Sequence, residues 1–429
     1  GAEGEDSSAT GVNGDQSDNG AAGSGAVYVY TCDEDGQWAL QAYLKASNAG
    51  GGDNLGGSVT LSRDGNTLAV GATQEGGRTG AAYVFVRNGS DWSEEAYLKA
   101  SNPEVNDFFS YAISLSGNGH TLAVGAHAED SNATGIDGDG SDNSMTQAGA
   151  VYVFKRSGTT WSQEAYIKAC NTDVQDQFGC AVALTYDGNL LAVGAKFESS
   201  SATGVNGDPF NNDSLGSSAV YIFERQGSTW RQTNYLKNSQ SATRSLGYSV
   251  AISDDGNTLA AGACYDNSGS TGIGGDELDG SARDSGALYI FVRKNNIWSQ
   301  EAYIKAANTN ADDNFGRITT ISADGNIVAT AATQEQGAAS GINGDQTDNS
   351  KNLAGAVYVF TRQGTTWSQK SYVKAPNPDA DDEFGEALAL SGDGQTLAVG
   401  CQNEDSNATG LGGDQSDNSA SGAGAVYLY

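Results

Sequence analysis

WSQEAYIKACNTDVQDQFGCAVALTYDGNLLAVGAKFESSSATGVNGDPFNNDSLGSSAVYIF, residues 161–223, is the phrase from which the fold is read. It holds four runs of β-branched, aromatic or small apolar residues, each bounded by Gly, Asn or Asp. Such runs read as strands. In chain order they are strand d (residues 164–169), strand a (178–185), strand b (190–195) and strand c (218–223). Asp187-Gly188 lies between a and b, and Asp-Gly tolerates the positive φ that tight antiparallel hairpins require. In the neighbouring copy of strand c, Val151-Tyr152-Val153-Phe154, successive side chains face opposite sides of a sheet. No apolar pattern of helical period continues far enough to make a helix, so the fold is all-β.

Outward from this phrase the chain repeats. Trp38, Trp92, Trp161, Trp230, Trp298 and Trp367 each open a copy, evenly spaced from Trp92 onward. Asp64-Gly65, Asn118-Gly119, Asp255-Gly256, Asp324-Gly325 and Asp393-Gly394 repeat the a–b turn, read as a two-residue hairpin. Four antiparallel strands per repeat match the blade of a β-propeller. A β-solenoid would use coils of roughly 20–30 residues with few tight hairpins. Residues 1–429 are expected to form one propeller domain with incomplete blades at both ends. Strand c occurs seven times, at residues 25–30 first and 424–429 last, while a, b and d occur six times each. Seven blades are favoured on that count, with a longer natural chain supplying strands before Gly1. Six remain possible, closed by the first d strand.

The strand a and b phrases carry a family likeness. Phe178-Gly179, Phe315-Gly316 and Phe384-Gly385 open strand a, and Gly71-Ala72, Gly125-Ala126, Gly194-Ala195 and Gly262-Ala263 close strand b. This resembles the FG-GAP repeat of integrin α-subunit head domains and their bacterial relatives. The resemblance implies that these glycines clasp neighbouring blades. It also implies an extracellular adhesion or ligand-binding platform, enzymes being a minority in the family. Phe109-Ser110, Ala331-Ala332 and Gly400-Cys401 depart from the pattern.

Composition narrows the partners. Fifty-three acidic residues against 22 basic ones give a net charge of −31, which repels phosphate backbones and disfavours nucleic acid. No stretch of about 18 apolar residues exists to span a membrane as a helix. Strong acidity suits a secreted or surface-displayed protein in a salty exterior, where counterions screen self-repulsion.

Long polar loops between b and c carry oxygen-bearing side chains at alternate positions. They are Asn13, Asp15, Ser17 and Asp18; Asp137, Asp139, Ser141 and Asp142; Asn206, Asp208 and Asp213; Asn343, Asp345, Thr347 and Asp348; and Asp414, Ser416 and Asp417. Calcium takes 6–8 oxygens, and such loops can curl several toward one ion. The competing reading is an Asx-turn loop that satisfies its own backbone. The family's calcium loops sit between a and b, so calcium here is no direct carry-over.

Six of the 11 lysines recur in Tyr-x-Lys on strand d: Tyr43/Lys45, Tyr97/Lys99, Tyr166/Lys168, Tyr235/Lys237, Tyr303/Lys305 and Tyr372/Lys374. Lys on an outer strand is expected to discourage edge pairing. The tryptophans are expected to anchor one blade to the next. Cys170 and Cys180 flank a crossing between blades and would pair if their Cα atoms lay within about 7 Å. Catalysis finds no constellation, since His120 and His127 have no partner at a recognisable spacing. The expected function is therefore non-enzymatic: adhesion, ligand binding or extracellular assembly, with a protein or glycan partner and self-assembly through terminal strands as a further route. A carbohydrate-active or other hydrolytic propeller, with its site at a channel mouth, is the alternative.

Overall fold

A computed structural model of the chain describes residues 1–239 and 245–429. Among the described residues, 25 strands lie in sequence-adjacent order within their sheets. β1 (Val27–Cys32) and β2 (Trp38–Leu44) form a two-stranded ladder. Five four-stranded blades follow. They are β3 (Leu55–Leu61), β4 (Thr67–Ala72), β5 (Ala81–Asn88) and β6 (Asp91–Leu98); then β7 (Ala112–Leu115), β8 (Thr121–Ala126), β9 (Ala150–Ser157) and β10 (Thr160–Ile167). Next come β11 (Phe178–Leu184), β12 (Leu190–Ala195), β13 (Ala219–Gln226) and β14 (Thr229–Leu236); and β15 (Ser249–Ile252), β16 (Thr258–Ala263), β17 (Ala287–Lys294) and β18 (Ile297–Ile304). The fifth is β19 (Phe315–Ile321), β20 (Ile327–Ala332), β21 (Ala356–Gln363) and β22 (Thr366–Val373). A sixth blade has three strands, β23 (Ala387–Leu390), β24 (Leu397–Cys401) and β25 (Ala425–Leu428). The fold is an all-β propeller of antiparallel blades. The described residues show six blades, the alternative count, and not the seven that the repeats of strand c favoured.

The chain divides into two compact units, residues 1–193 with 223–233, and residues 194–222 with 234–429. Within each unit the apolar core lies between successive sheets. In the first unit, Ala69, Ala82 and Val84 of one blade pack with Leu122, Val124 and Tyr152 of the next. In the second, Leu288 and Ile290 pack with Val328, Tyr358 and Phe360. Each such sheet is covered on both faces, which is why β4, β8, β12 and β16 are buried at every position.

The a–b turn is longer than the expected two residues. Ser62 N–H donates to Thr67 O at 2.8 Å and Gly65 N–H to Ser62 O at 2.9 Å, leaving residues 63–66 in the turn. Gly65 takes φ +66°, and Asp64 Oδ1 accepts from Ser62 Oγ and Asn66 N–H. The Asp-Gly signal located the turn correctly. Its hydrogen bonds favour a four-residue loop closed by a left-handed glycine.

The FG and GA glycines meet between blades. A Cβ on Gly125 would lie 2.1 Å from Gly179 O, inside van der Waals contact, and Gly179 itself sits at φ +87°. Gly194 with Gly247 and Gly262 with Gly316 repeat this approach in the second unit. Glycine is needed because the backbones touch.

A bulge recurs where c pairs with d. Gln163 faces Phe154 while Ala165 faces Val153, so Glu164 is the extra residue. Gln41, Glu95 and Glu301 occupy the same extra position in their ladders. A bulge re-aims its side chain, and each of these reaches the next blade. Trp92 Nε1 donates to Gln41 at 2.8 Å, Trp161 to Glu95 at 2.9 Å, Trp230 to Glu164 at 3.1 Å and Trp367 to Glu301 at 3.2 Å. Arg156, Arg225 and Arg362 ion-pair with the same three glutamates. The five later tryptophans are buried, whereas Trp38 is exposed. Four of the buried ones are interblade anchors, as the sequence implied, while Trp298 Nε1 has no hydrogen-bond partner among the described residues.

Candidate functional site

The b–c loops are the largest elements outside the sheets, and the repeat places them at the same point of every long-loop copy. Asn13, Asp137, Asn206 and Asn343 adopt φ between +53° and +58°, which short Asx side chains tolerate. Each binds strand d twice. Its backbone N–H donates to the carbonyl of Tyr43, Tyr166, Tyr235 or Tyr372 at 2.7 Å, and its side-chain oxygen accepts that tyrosine's N–H. The first candidate ligand is thus an anchor in four of the five loops.

The remaining candidates hold Asx turns. Asp15 Oδ1 accepts from Ser17 N–H and Oγ, Asp139 from Ser141, Asp345 from Thr347 and Asp414 from Ser416. These bonds hold the four carboxyl groups below the usual range. Asp18, Asp142, Asp348 and Asp417 accept the N–H of Gly20, Ser144, Ser350 and Ser419. Asp208 accepts from Phe210 N–H, and Asp213 N–H donates to Asn211. Within one loop these oxygens serve separate turns. Among the described residues no group of three or more His, Cys, Asp or Glu stands ready for a metal ion.

The Tyr-x-Lys pairs overturn the edge-protection reading. Lys45, Lys168, Lys237, Lys305 and Lys374 are buried, and each is ion-paired to an acid at the start of the b–c loop. The partners are Glu5 at 2.8 Å, Glu129 at 2.7 Å, Glu198 at 2.9 Å, Asp266 at 3.3 Å and Glu335 at 2.8 Å. Tyr43, Tyr166, Tyr303 and Tyr372 donate their hydroxyls to the same carboxylates. Lys and Tyr two apart lie on one face of strand d, so both reach one acid. Burial lowers the Lys168, Lys305 and Lys374 ammonium groups against the opposing pull of the carboxylates, and it raises the tyrosines. Several of the acids were legible as the first letter of EDSN or EDSS. Only topology brings them back to the lysine, from the far side of the b–c loop and strand c.

A second set of buried acids precedes strand a. Asp107, Asp313 and Asp382 each accept the N–H of the residue three earlier. Burial pushes Asp107 and Asp313 up to about 7 and Asp382 to about 6, with Glu129, Glu335 and Glu404 adding repulsion. Asp313 Oδ1 is buried without a hydrogen-bond partner among the described residues.

Cys170 and Cys180 do not pair, and none of the five cysteines is in a disulfide. His127 lies tilted against Tyr111 with centroids 4.1 Å apart and stacks on Phe108 at 5.6 Å. No described helix is long and apolar enough to cross a membrane.

Residues 38–85 and 92–154 match the FG-GAP repeat family model. These stretches are FG-GAP repeats, and the other copies share their phrase. No curated protein matches the chain significantly. Among solved structures the chain is similar to the hydrazine synthase of Kuenenia stuttgartiensis at 14% identity and TM-score 0.45, covering 82% of this chain and 76% of that one. It is similar also to the periplasmic gluconolactonase PpgL of Pseudomonas aeruginosa (16%, TM-score 0.41, 74% and 71%). TolB from Acinetobacter baumannii is a third (13%, TM-score 0.41, 82% and 61%).

Proposed function

We propose that this FG-GAP-repeat β-propeller is an exported, non-catalytic binding platform whose contact elements are the b–c loops. The observation that carries the reading is the latch beneath the long loops. In five of them a buried Lys–acid pair fixes the loop's first turn to strand d, and in four an Asx anchor also fixes its middle, while the Asp-rich tip stays in solvent. A loop pinned in this way loses little further conformational freedom when a partner binds, and preorganisation of that kind favours affinity. The tips are acidic, so the partner is a protein or glycan that presents positive charge or accepts a bridging cation. Calcium belongs to this proposal as an ion that would draw the loop oxygens out of their turns. Export is supported by the acidity and by the FG-GAP repeats.

The test is to expose the purified chain to arrays of peptides and glycans, with and without calcium, beside a broad hydrolase assay. Binding without turnover is expected. Turnover of any substrate would reverse the reading in favour of an enzyme.

A further inference from the structure

One cleft in the second unit is lined by an acid at a loop position that is neutral in the other long loops. It has a volume of ≈ 420 Å³, within the usual range for ligand sites, and is walled by Ile273, Glu277, Gln300, Thr365, Thr366 and Trp367 among others. Glu277 belongs to the b–c loop before β17, Gln300 to β18, and Thr366 and Trp367 to β22. Glu277 is half-buried and held in place. It accepts from Gln300 Nε2 at 2.7 Å and from Ser239 Oγ at 3.1 Å, while Gln300 Oε1 accepts Ser239 N–H at 3.0 Å.

Nothing structural requires a carboxylate there. The equivalent position in the other long loops is Gln16, Gly140, Pro209, Gln346 or Gln415. In the following blade Gln369 Nε2 donates to Gln346 Oε1 at 3.2 Å, so a neutral pair makes the same bridge. The other acid lining the cleft is already matched. Glu301 is bound by Arg362 at 3.1 Å and lies 3.6 Å from Lys294. Glu277, by contrast, has neutral donors only among the described residues, and burial together with Asp266 and Asp276 raises its pKa against the pull of those donors. A negative charge is thus placed in a walled recess, with no cation among the described residues paired to it.

We propose that this cleft receives a lysine or arginine side chain of a partner polypeptide, with Glu277 accepting its ammonium or guanidinium and Trp367 and Ile273 walling its aliphatic stem. The proposal rests on the loops being a contact surface and names one partner chemistry for one of them. A charge-assisted hydrogen bond in a recess is stronger than a neutral one, and long basic side chains combine an apolar stem with a charged head.

The probe is an end-capped tri-lysine peptide titrated into the full chain by calorimetry at about 0.1 M salt, where distant surface charges are largely screened. Glu277→Gln copies the Gln346–Gln369 bridge and keeps the fold, and it is expected to weaken binding by about tenfold or more. Asp35→Asn, which removes one charge from the exposed turn between β1 and β2, outside the b–c loops, is expected to leave binding unchanged. Equal binding by wild type and Glu277→Gln, equal loss in both variants, or no binding by the wild type would overturn the proposal. So would calcium binding that Glu277→Gln abolishes while the peptide does not bind. If array ligands bind Glu277→Gln as they bind wild type, the cleft falls and the platform stands. Turnover in the hydrolase assay fells the platform whatever Glu277→Gln does.

Discussion

Lys168 Nζ lies 2.7 Å from Glu129 Oε2, and the two side chains are 0% and 1% exposed. A buried pair of this kind owes its stability to completeness: Glu129 also accepts from Tyr166, Asn102 and Ser131 N–H. Removing one partner leaves the other charge buried without compensation. Lys168→Met should therefore destabilise the chain by about 3–5 kcal/mol, and Lys168→Met with Glu129→Leu by clearly less. Urea unfolding of the single and double variants measures the difference.

The bulge clasp makes a graded prediction. Glu95→Ala removes the acceptor of Trp161 Nε1 and the partner of Arg156, for a loss of about 1–3 kcal/mol. Glu95→Gln should lose much less, because Gln41 already performs this task for Trp92 and Arg87. Melting temperatures of the two variants would rank them. Equal losses would show that charge, not acceptor geometry, matters at the bulge.

Gly125→Ala should unfold the first unit or lower its melting point steeply, since its Cβ would fall 2.1 Å from Gly179 O. Gly4→Ala, with nothing within 4 Å of the added carbon, is the control and should melt like wild type. Overpacking against backbone has no flexible side chain to yield.

Much of this was legible in the sequence, for identifiable reasons. Trp spacing, Asp-Gly turns and FG/GA phrases are local signals, and each placed its element correctly. The latch was not legible in the same way. Lys168 reads as an edge lysine because its partner, Glu129, is remote in the chain and approaches only when the loop folds over strand d. The bulges were invisible because Glu95 and Glu164 look like ordinary strand residues until register is counted. The candidate metal residues separated into anchors and turns, a division set by φ at Asn13 and its equivalents.

The pH response should run against habit. Asp313 has a folded pKa of about 7 against an ordinary 3.8, so the native state binds more protons between those values. Its contribution is complete below about pH 4 and is lost as pH rises through 7. Asp313 faces Glu335, which raises it, and Lys305 and Lys374, which lower it. Asp313→Asn keeps an acceptor for Asn310 N–H but cannot ionise. Its melting temperature relative to wild type should rise from pH 5 to pH 8. A difference that stays flat would place the titration elsewhere.

Calcium, if it binds the tips, must trade Asx-turn bonds for metal–oxygen bonds. Added calcium should then raise the melting temperature and a chelator lower it, while sodium at equal ionic strength does neither. Identical melting curves in all three conditions would remove calcium from the reading.

The copy at residues 73–80 lacks the long loop, yet its short helical turn, Glu75–Arg78, still supplies Glu75 to Lys99 at 2.7 Å and to Tyr97 at 3.1 Å. The latch therefore survives the removal of most of the segment it normally fastens. What the blade demands is one acid just after strand b, and the sequence beyond it is free to vary in length and character. Such a chassis lends itself to grafting: a foreign peptide inserted behind that acid would be displayed from a fixed stem, and several different ones could be carried on a single molecule.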